Sequence, residues 1–123
     1  MHPRRRALDI LRTSRTAGRR VAVLGEMLEL GDRAIGLHEL VGRAAAAGPV
    51  DLLIAVGGAP ARALADAAVG AGLPQSAVLY FETSDEASAS AVSLVRAGDL
   101  VLVKGSRGVQ TDKVVDRLKA EFA

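Results

Sequence analysis

Four short apolar runs punctuate the chain: Val21-Ala22-Val23-Leu24, Leu52-Leu53-Ile54-Ala55-Val56, Ala77-Val78-Leu79-Tyr80-Phe81 and Leu100-Val101-Leu102-Val103. None alternates apolar with polar positions. Strands that read this way are covered on both sheet faces, which predicts a parallel sheet. Between the runs the pattern changes to helical spacing. Leu37, Leu40, Val41, Ala44 and Ala45 share one face and stop at Gly48-Pro49, a helix stop signal. A second helix takes Pro60 into its first turn and ends around Gly70-Ala71-Gly72. Thr83, with Glu86 three residues on, forms a capping box that opens a third helix from about Ser84 to Arg96. Val114, Val115, Leu118 and Phe122 make the apolar face of a last helix. Leu8 and Leu11, joined less regularly by Ala7 and Ile10, mark a first helix within residues 1–17. The order αβαβαβαβα predicts a single domain over residues 1–123. Its fold class is α/β, a Rossmann-like three-layer sandwich. A mainly parallel sheet of about four strands carries helices on both faces, joined by right-handed crossovers.

Composition narrows the chemistry. There is no Cys, so disulfides, thiolate metal sites and a thiol nucleophile are excluded. Tyr80, Phe81 and Phe122 are the only aromatics, so the core is built from Val, Leu, Ile and Ala. The net charge of +2 conceals an asymmetry. Residues 1–20 hold seven Arg and one Asp, whereas residues 21–123 hold nine basic against 13 acidic side chains. An Arg-rich start suits a nucleic-acid arm or a transit sequence, but no aromatics stand near for base stacking. It reads instead as the solvated face of the first helix, with no nucleic acid implied. No apolar run reaches the ~20 residues of a membrane helix. No membrane contact and a cytoplasmic protein are the expectation.

In open parallel sheets, ligands bind beyond the carboxyl ends of the strands. Four loops start there, at Gly25-Glu26-Met27, Gly57-Gly58, Glu82-Thr83 and Lys104-Gly105-Ser106-Arg107-Gly108. The last carries the most chemistry. Gly105 and Gly108 let successive backbone N–H groups point at one place, and Lys104, Ser106 and Arg107 add cationic and hydroxyl donors. Such a loop is suited to an anion, helped by the positive end of the helix that opens near Thr111. Glu26 could hold a cation, accept a proton or hydrogen bond from a substrate amine, cap its own loop, or pair with Lys104 or Arg107. Met27 adjoins it. His38 lies beside Val41 and Ala45, where a lone His is ordinarily structural unless the fold carries it to the carboxyl edge.

The Walker pattern and the Gly-x-Gly-x-x-Gly dinucleotide pattern do not occur. Neither a Ser-His-Asp elbow nor a metal-ligand cluster is visible. A complete catalytic set is not encoded, and no metal ligand is assigned.

Val21-Ala-Val-Leu-Gly-Glu-Met-Leu-Glu-Leu-Gly31, then His38 and Gly42, the strand Asp51-Leu-Leu-Ile-Ala-Val-Gly57, and Gly98-Asp-Leu-Val-Leu-Val-Lys-Gly-Ser-Arg-Gly108 resemble the C-terminal domain of the Mur ligases, in their D-Ala-D-Ala-adding branch. The resemblance runs through essentially the whole chain, in order. It implies a three-domain cytoplasmic enzyme of peptidoglycan synthesis and cell-wall biogenesis. Such an enzyme uses ATP and Mg to turn a carboxylate of a UDP-muramoyl peptide into an acyl phosphate, which the amino group of D-Ala-D-Ala attacks. The partners implied are the N-terminal domain, which holds the UDP-sugar peptide, and the central ATPase domain. The third domain closes over the central one and is inactive alone. By position, Lys104, Ser106 and Arg107 face the shared site and Glu26 lines it from the first strand.

The chain departs from the family pattern twice. It opens Met1-His2-Pro3 where the family has an Asp-x-Tyr-Asn-Ala-Asn-Pro hinge, and it has Thr111-Asp112 where the family often has Met-Glu. It therefore reads as a domain separated from its neighbours at the hinge. The rival expectation is a small receiver-like α/β binding or signalling module. Glu26 and Lys104 suit a receiver superficially, but Glu82-Thr83-Ser84 stands where a receiver needs a phospho-accepting Asp.

Overall fold

The structure is a computed structural model that describes residues 18–28, 30–48, 50–105 and 112–122. The expected first helix, together with Ser106, Arg107, Gly108, Thr111 and the Phe122 side chain, lies outside the described residues. Strands β1 (Arg20–Gly25), β2 (Leu52–Val56), β3 (Val78–Phe81) and β4 (Leu100–Lys104) alternate with helices α1 (Ala34–Ala47), α2 (Ala59–Gly70), α3 (Ser84–Leu94) and α4 (Asp112–Phe122). All three strand pairings are parallel, in the order β3-β2-β1-β4.

The continuous apolar runs behave as their lack of alternation predicts. Every residue of β2 is buried, and so is β1 after Arg20. The pleat divides them. Ala22, Leu24, Leu53 and Ala55 meet Val41 and Ala45 of α1 and Ala61, Leu64, Ala65 and Ala68 of α2. Val21, Val23, Leu52, Ile54 and Val56 meet Ala87 and Ala91 of α3 and Val114 of α4. Small residues let α1 and α2 approach closely. A Cβ built on Gly42 would stand 2.1 Å from the Leu64 carbonyl oxygen.

The bounds of β1, β3, α3 and β4 differ from expectation; β1 gains Arg20 and Gly25 at its two ends. Ala77 belongs to a 3-10 turn, Gln75–Ala77, closed by its N–H on the Pro74 carbonyl at 2.8 Å, so β3 starts at Val78. Helix α3 opens on its Thr83 cap, whose Oγ1 accepts the Glu86 amide at 3.2 Å. It stops at Leu94 rather than Arg96 because Val95 is extended and the Arg96 amide donates to Asp99 Oδ2 at 2.8 Å. Strand β4 includes Lys104, which pairs in register with Leu24.

Asp99 also ties the start of β4 to the start of β1. Its Oδ2 accepts from Arg19 Nη2 at 2.9 Å, and the same nitrogen donates to the Leu94 carbonyl at 2.6 Å. The Leu100 amide then donates to the Arg19 carbonyl at 2.9 Å. Burial pushes the Asp99 carboxyl up, but hydrogen bonds from the Arg19 side chain and from the Arg96 and Arg19 amides outweigh it, holding the group below the usual carboxylate range.

Candidate functional site

The strand order sets the place of the site. The chain steps from β1 to β2 to β3 in one direction, then returns to lay β4 on the other side of β1. The reversal falls between β1 and β4, and the crevice beyond their carboxyl ends is where this class of sheet binds ligands. Glu26 leaves β1 and Lys104 ends β4 on either side of that crevice. Because Gly25 pairs with Val56 and Val56 with Phe81, the turns at Gly57 and Glu82 open on the same edge.

Glu26 has a definite task. Its backbone N–H extends the sheet ladder to the Val56 carbonyl at 2.8 Å, and its Oε1 accepts the Gly58 amide at 2.7 Å. Of the roles considered for it, capping is the one seen, but the loop capped is the β2–α2 turn rather than its own. Glu26 makes no ion pair with Lys104 among the described residues. Gly57 makes this approach feasible. Its φ of +140° is a conformation L side chains rarely adopt, and a Cβ there would stand 2.6 Å from the Glu26 Cβ.

Lys104 is exposed at the end of β4, and Gly105 follows it, half-buried. The Lys104 ammonium has no ion-pair partner among the described residues. Ser106 and Arg107, the other two donors expected in this loop, fall outside the described residues.

His38 is both structural and at the carboxyl edge. Its side chain is buried, and Nε2 accepts the Met27 amide at 2.9 Å while Nδ1 lies 2.6 Å from the Ala34 carbonyl. Met27 thus enters the site through its backbone.

Tyr80 and Arg62 are part of this edge and were not singled out from the sequence. The Tyr80 hydroxyl donates to the Gly57 carbonyl at 2.6 Å, and the Arg62 guanidinium stands 5.8 Å from the centre of the ring. Burial and then the Glu82 carboxylate raise the Tyr80 phenol above its ordinary value; Arg62 opposes them, and Glu26 and Glu86 add to the rise. The phenol therefore keeps the proton it donates to Gly57. The signal available beforehand was a lone Tyr at a strand end, whose hydroxyl needs a partner. The edge is consequently acidic over β2 and β3 and cationic at β4.

With that geometry established, likeness to known proteins becomes specific. Residues 3–107 match the family model described as Mur ligase, glutamate ligase domain. The chain belongs to the Mur ligases. Over 112 residues, 87% of the chain, this Mur ligase domain is 39% identical to the UDP-N-acetylmuramoyl-tripeptide–D-alanyl-D-alanine ligase of Mycobacterium leprae, and it covers 21% of that protein. Among solved structures, the domain is similar to MurF from Acinetobacter baumannii. The TM-score is 0.75 at 30% identity, over 94% of this chain and 25% of that one. MurF ligase from Thermotoga maritima, solved in complex with ADP, shares the fold at a TM-score of 0.70 and 24% identity, over 94% of this chain and 24% of that one. The domain thus spans about a fifth to a quarter of the length of these proteins. Membership of the family removes the receiver-like alternative.

Among the described residues, no helix is long and apolar enough to cross a membrane, and no group of three or more His, Asp or Glu side chains is placed to hold a metal ion.

Proposed function

We propose that this domain completes the active site of a cytoplasmic ligase that adds D-Ala-D-Ala to UDP-N-acetylmuramoyl-tripeptide in peptidoglycan synthesis, by closing over a central ATPase domain. The observation that carries the reading is the placement of Lys104 across the β1–β4 crevice from Glu26, in a chain 39% identical to a ligase of that name. ATP, when bound, supplies the phosphoryl group that activates the tripeptide carboxylate. The described residues suit a contact to phosphate, through the exposed Lys104, and do not form a carboxylate cage for Mg. In this reading the metal belongs to the central domain.

What this chain does follows from its own groups. Lys104, with Ser106 and Arg107 of the same loop, brings positive charge to a phosphate or carboxylate at the β4 side. At the β2 side, Glu26 keeps its carboxylate fixed by the Gly58 amide, so the incoming ammonium of D-Ala-D-Ala meets an immobile negative group. Domain closure would bring both over the reacting carboxylate and exclude water. The expected readout is in the ligase formed by joining this chain to the N-terminal and central domains of the 39%-identical relative. There, Lys104→Ala should lower kcat/KM about ten- to a hundredfold, the worth of a hydrogen bond to a charged group. Lys104→Arg should retain most of it. An Ala variant with wild-type kinetics would remove Lys104 from the site.

A further inference from the structure

We propose that His38 is a positioning residue, a neutral imidazole with its proton on Nδ1 that holds the Met27 amide and thereby fixes the Glu26–Leu28 turn that faces the incoming amino substrate. The functional half of this statement rests on the ligase reading above. The structural half stands on geometry alone. The last ladder bond at the end of β1 runs from the Glu26 amide to the Val56 carbonyl. One residue later the sheet offers Met27 no carbonyl, and its amide turns to the Nε2 of His38 at 2.9 Å. An amide can only donate, so Nε2 must present a lone pair. A carbonyl can only accept, so the Nδ1 facing Ala34 at 2.6 Å must carry the proton. Both contacts require the same tautomer.

The imidazole is only 2% exposed. A buried polar ring carries a desolvation cost that an aliphatic side chain in this helix would avoid. What the ring provides in return is a side-chain acceptor that links α1 to the end of β1. Three contacts then fix two consecutive residues: the Glu26 amide on Val56, the Glu26 carboxylate on Gly58, and the Met27 amide on His38. Next along the chain stands Leu28, 41% exposed, and Ile35 at the start of α1 is 43% exposed. The turn thus carries an exposed apolar side chain two residues after the Glu26 carboxylate, and His38 holds the amide between them.

His38→Leu keeps an apolar volume and removes the acceptor; His38→Gln keeps an acceptor that can reach the Met27 amide. In the 123-residue chain, hydrogen exchange at Met27 should quicken roughly tenfold in the Leu variant, the equivalent of one lost hydrogen bond. Exchange at Ile54 in the core should stay unchanged, and Gln should restore Met27. Equal Met27 exchange in all three proteins overturns the proposal. Should the Leu variant not fold, the wild-type chain still decides. A long-range nitrogen–proton NMR spectrum at neutral pH must show His38 as the Nδ1–H tautomer, and an Nε2–H ring would refute the assignment. In the joined ligase, the Leu variant should raise KM for D-Ala-D-Ala more than it lowers kcat, and Gln should reverse the effect. If the wild-type fusion has no ligase activity while Met27 behaves as described, the ligase reading fails and the positional role of His38 stands.

Discussion

The Glu26 carboxylate caps the amide of Gly58 at 2.7 Å, across 32 residues of sequence, and so joins the end of β1 to the turn after β2. The group expected to contact substrate is thereby part of the scaffold that shapes the site. Removing it with Glu26→Ala should cost about 0.5–1.5 kcal/mol, because the exposed Gly58 amide exchanges a charged acceptor for water. Glu26→Gln keeps a neutral acceptor and should fall between Ala and wild type in urea denaturation. Equal stability of Ala and wild type would show that the cap contributes nothing.

Two glycines of α1 should respond in opposite directions to the same change. A Cβ at Gly42 would run into the Leu64 carbonyl of α2, so Gly42→Ala must push the helices apart and should cost about 1–3 kcal/mol. A Cβ at Gly36 meets nothing within 4 Å. There Gly36→Ala should stabilise by about 0.5–1 kcal/mol through the lower entropy of the unfolded chain. Thermal melts of the two variants check the pair directly, and the same sign for both would contradict the packing described.

Asp99 predicts a pH dependence. Its folded-state pKa lies below the usual value, so the unfolded chain binds its proton more readily. The stabilisation is therefore fully present above the ordinary carboxylate pKa of about 4 and is lost as the pH falls through the lower folded value. Asp99→Asn should destabilise the domain at neutral pH and flatten the acid limb of its stability curve. Urea midpoints measured from neutral to acid pH should converge for the two proteins; a constant gap would assign the loss to packing instead of charge.

Much of the fold was legible because β2 is covered on both faces, which leaves an unbroken apolar run with no rival reading. Thr83 and Glu86 likewise announced α3, since a cap acts within one turn. What could not be read were contacts between residues distant in sequence. The Arg19–Asp99 link spans 80 residues, and no local pattern announces it. Glu26 offered several plausible partners, and only the register of β1 against β2 brings Gly58 within reach. His38 was legible as a structural His, but its acceptor role needed the Met27 amide to run out of sheet partners.

In the proposed ligase, this domain supplies one side of the active site and needs the other side to act. Ligation of D-Ala-D-Ala to UDP-N-acetylmuramoyl-tripeptide, with ATP and Mg, should be measured for the chain alone and for the chain joined to the N-terminal and central domains of the Mycobacterium leprae relative. No product is expected from the first, and product from the second. Turnover by the chain alone, or none from a fusion whose domains are shown to be folded, would contradict that division of the site.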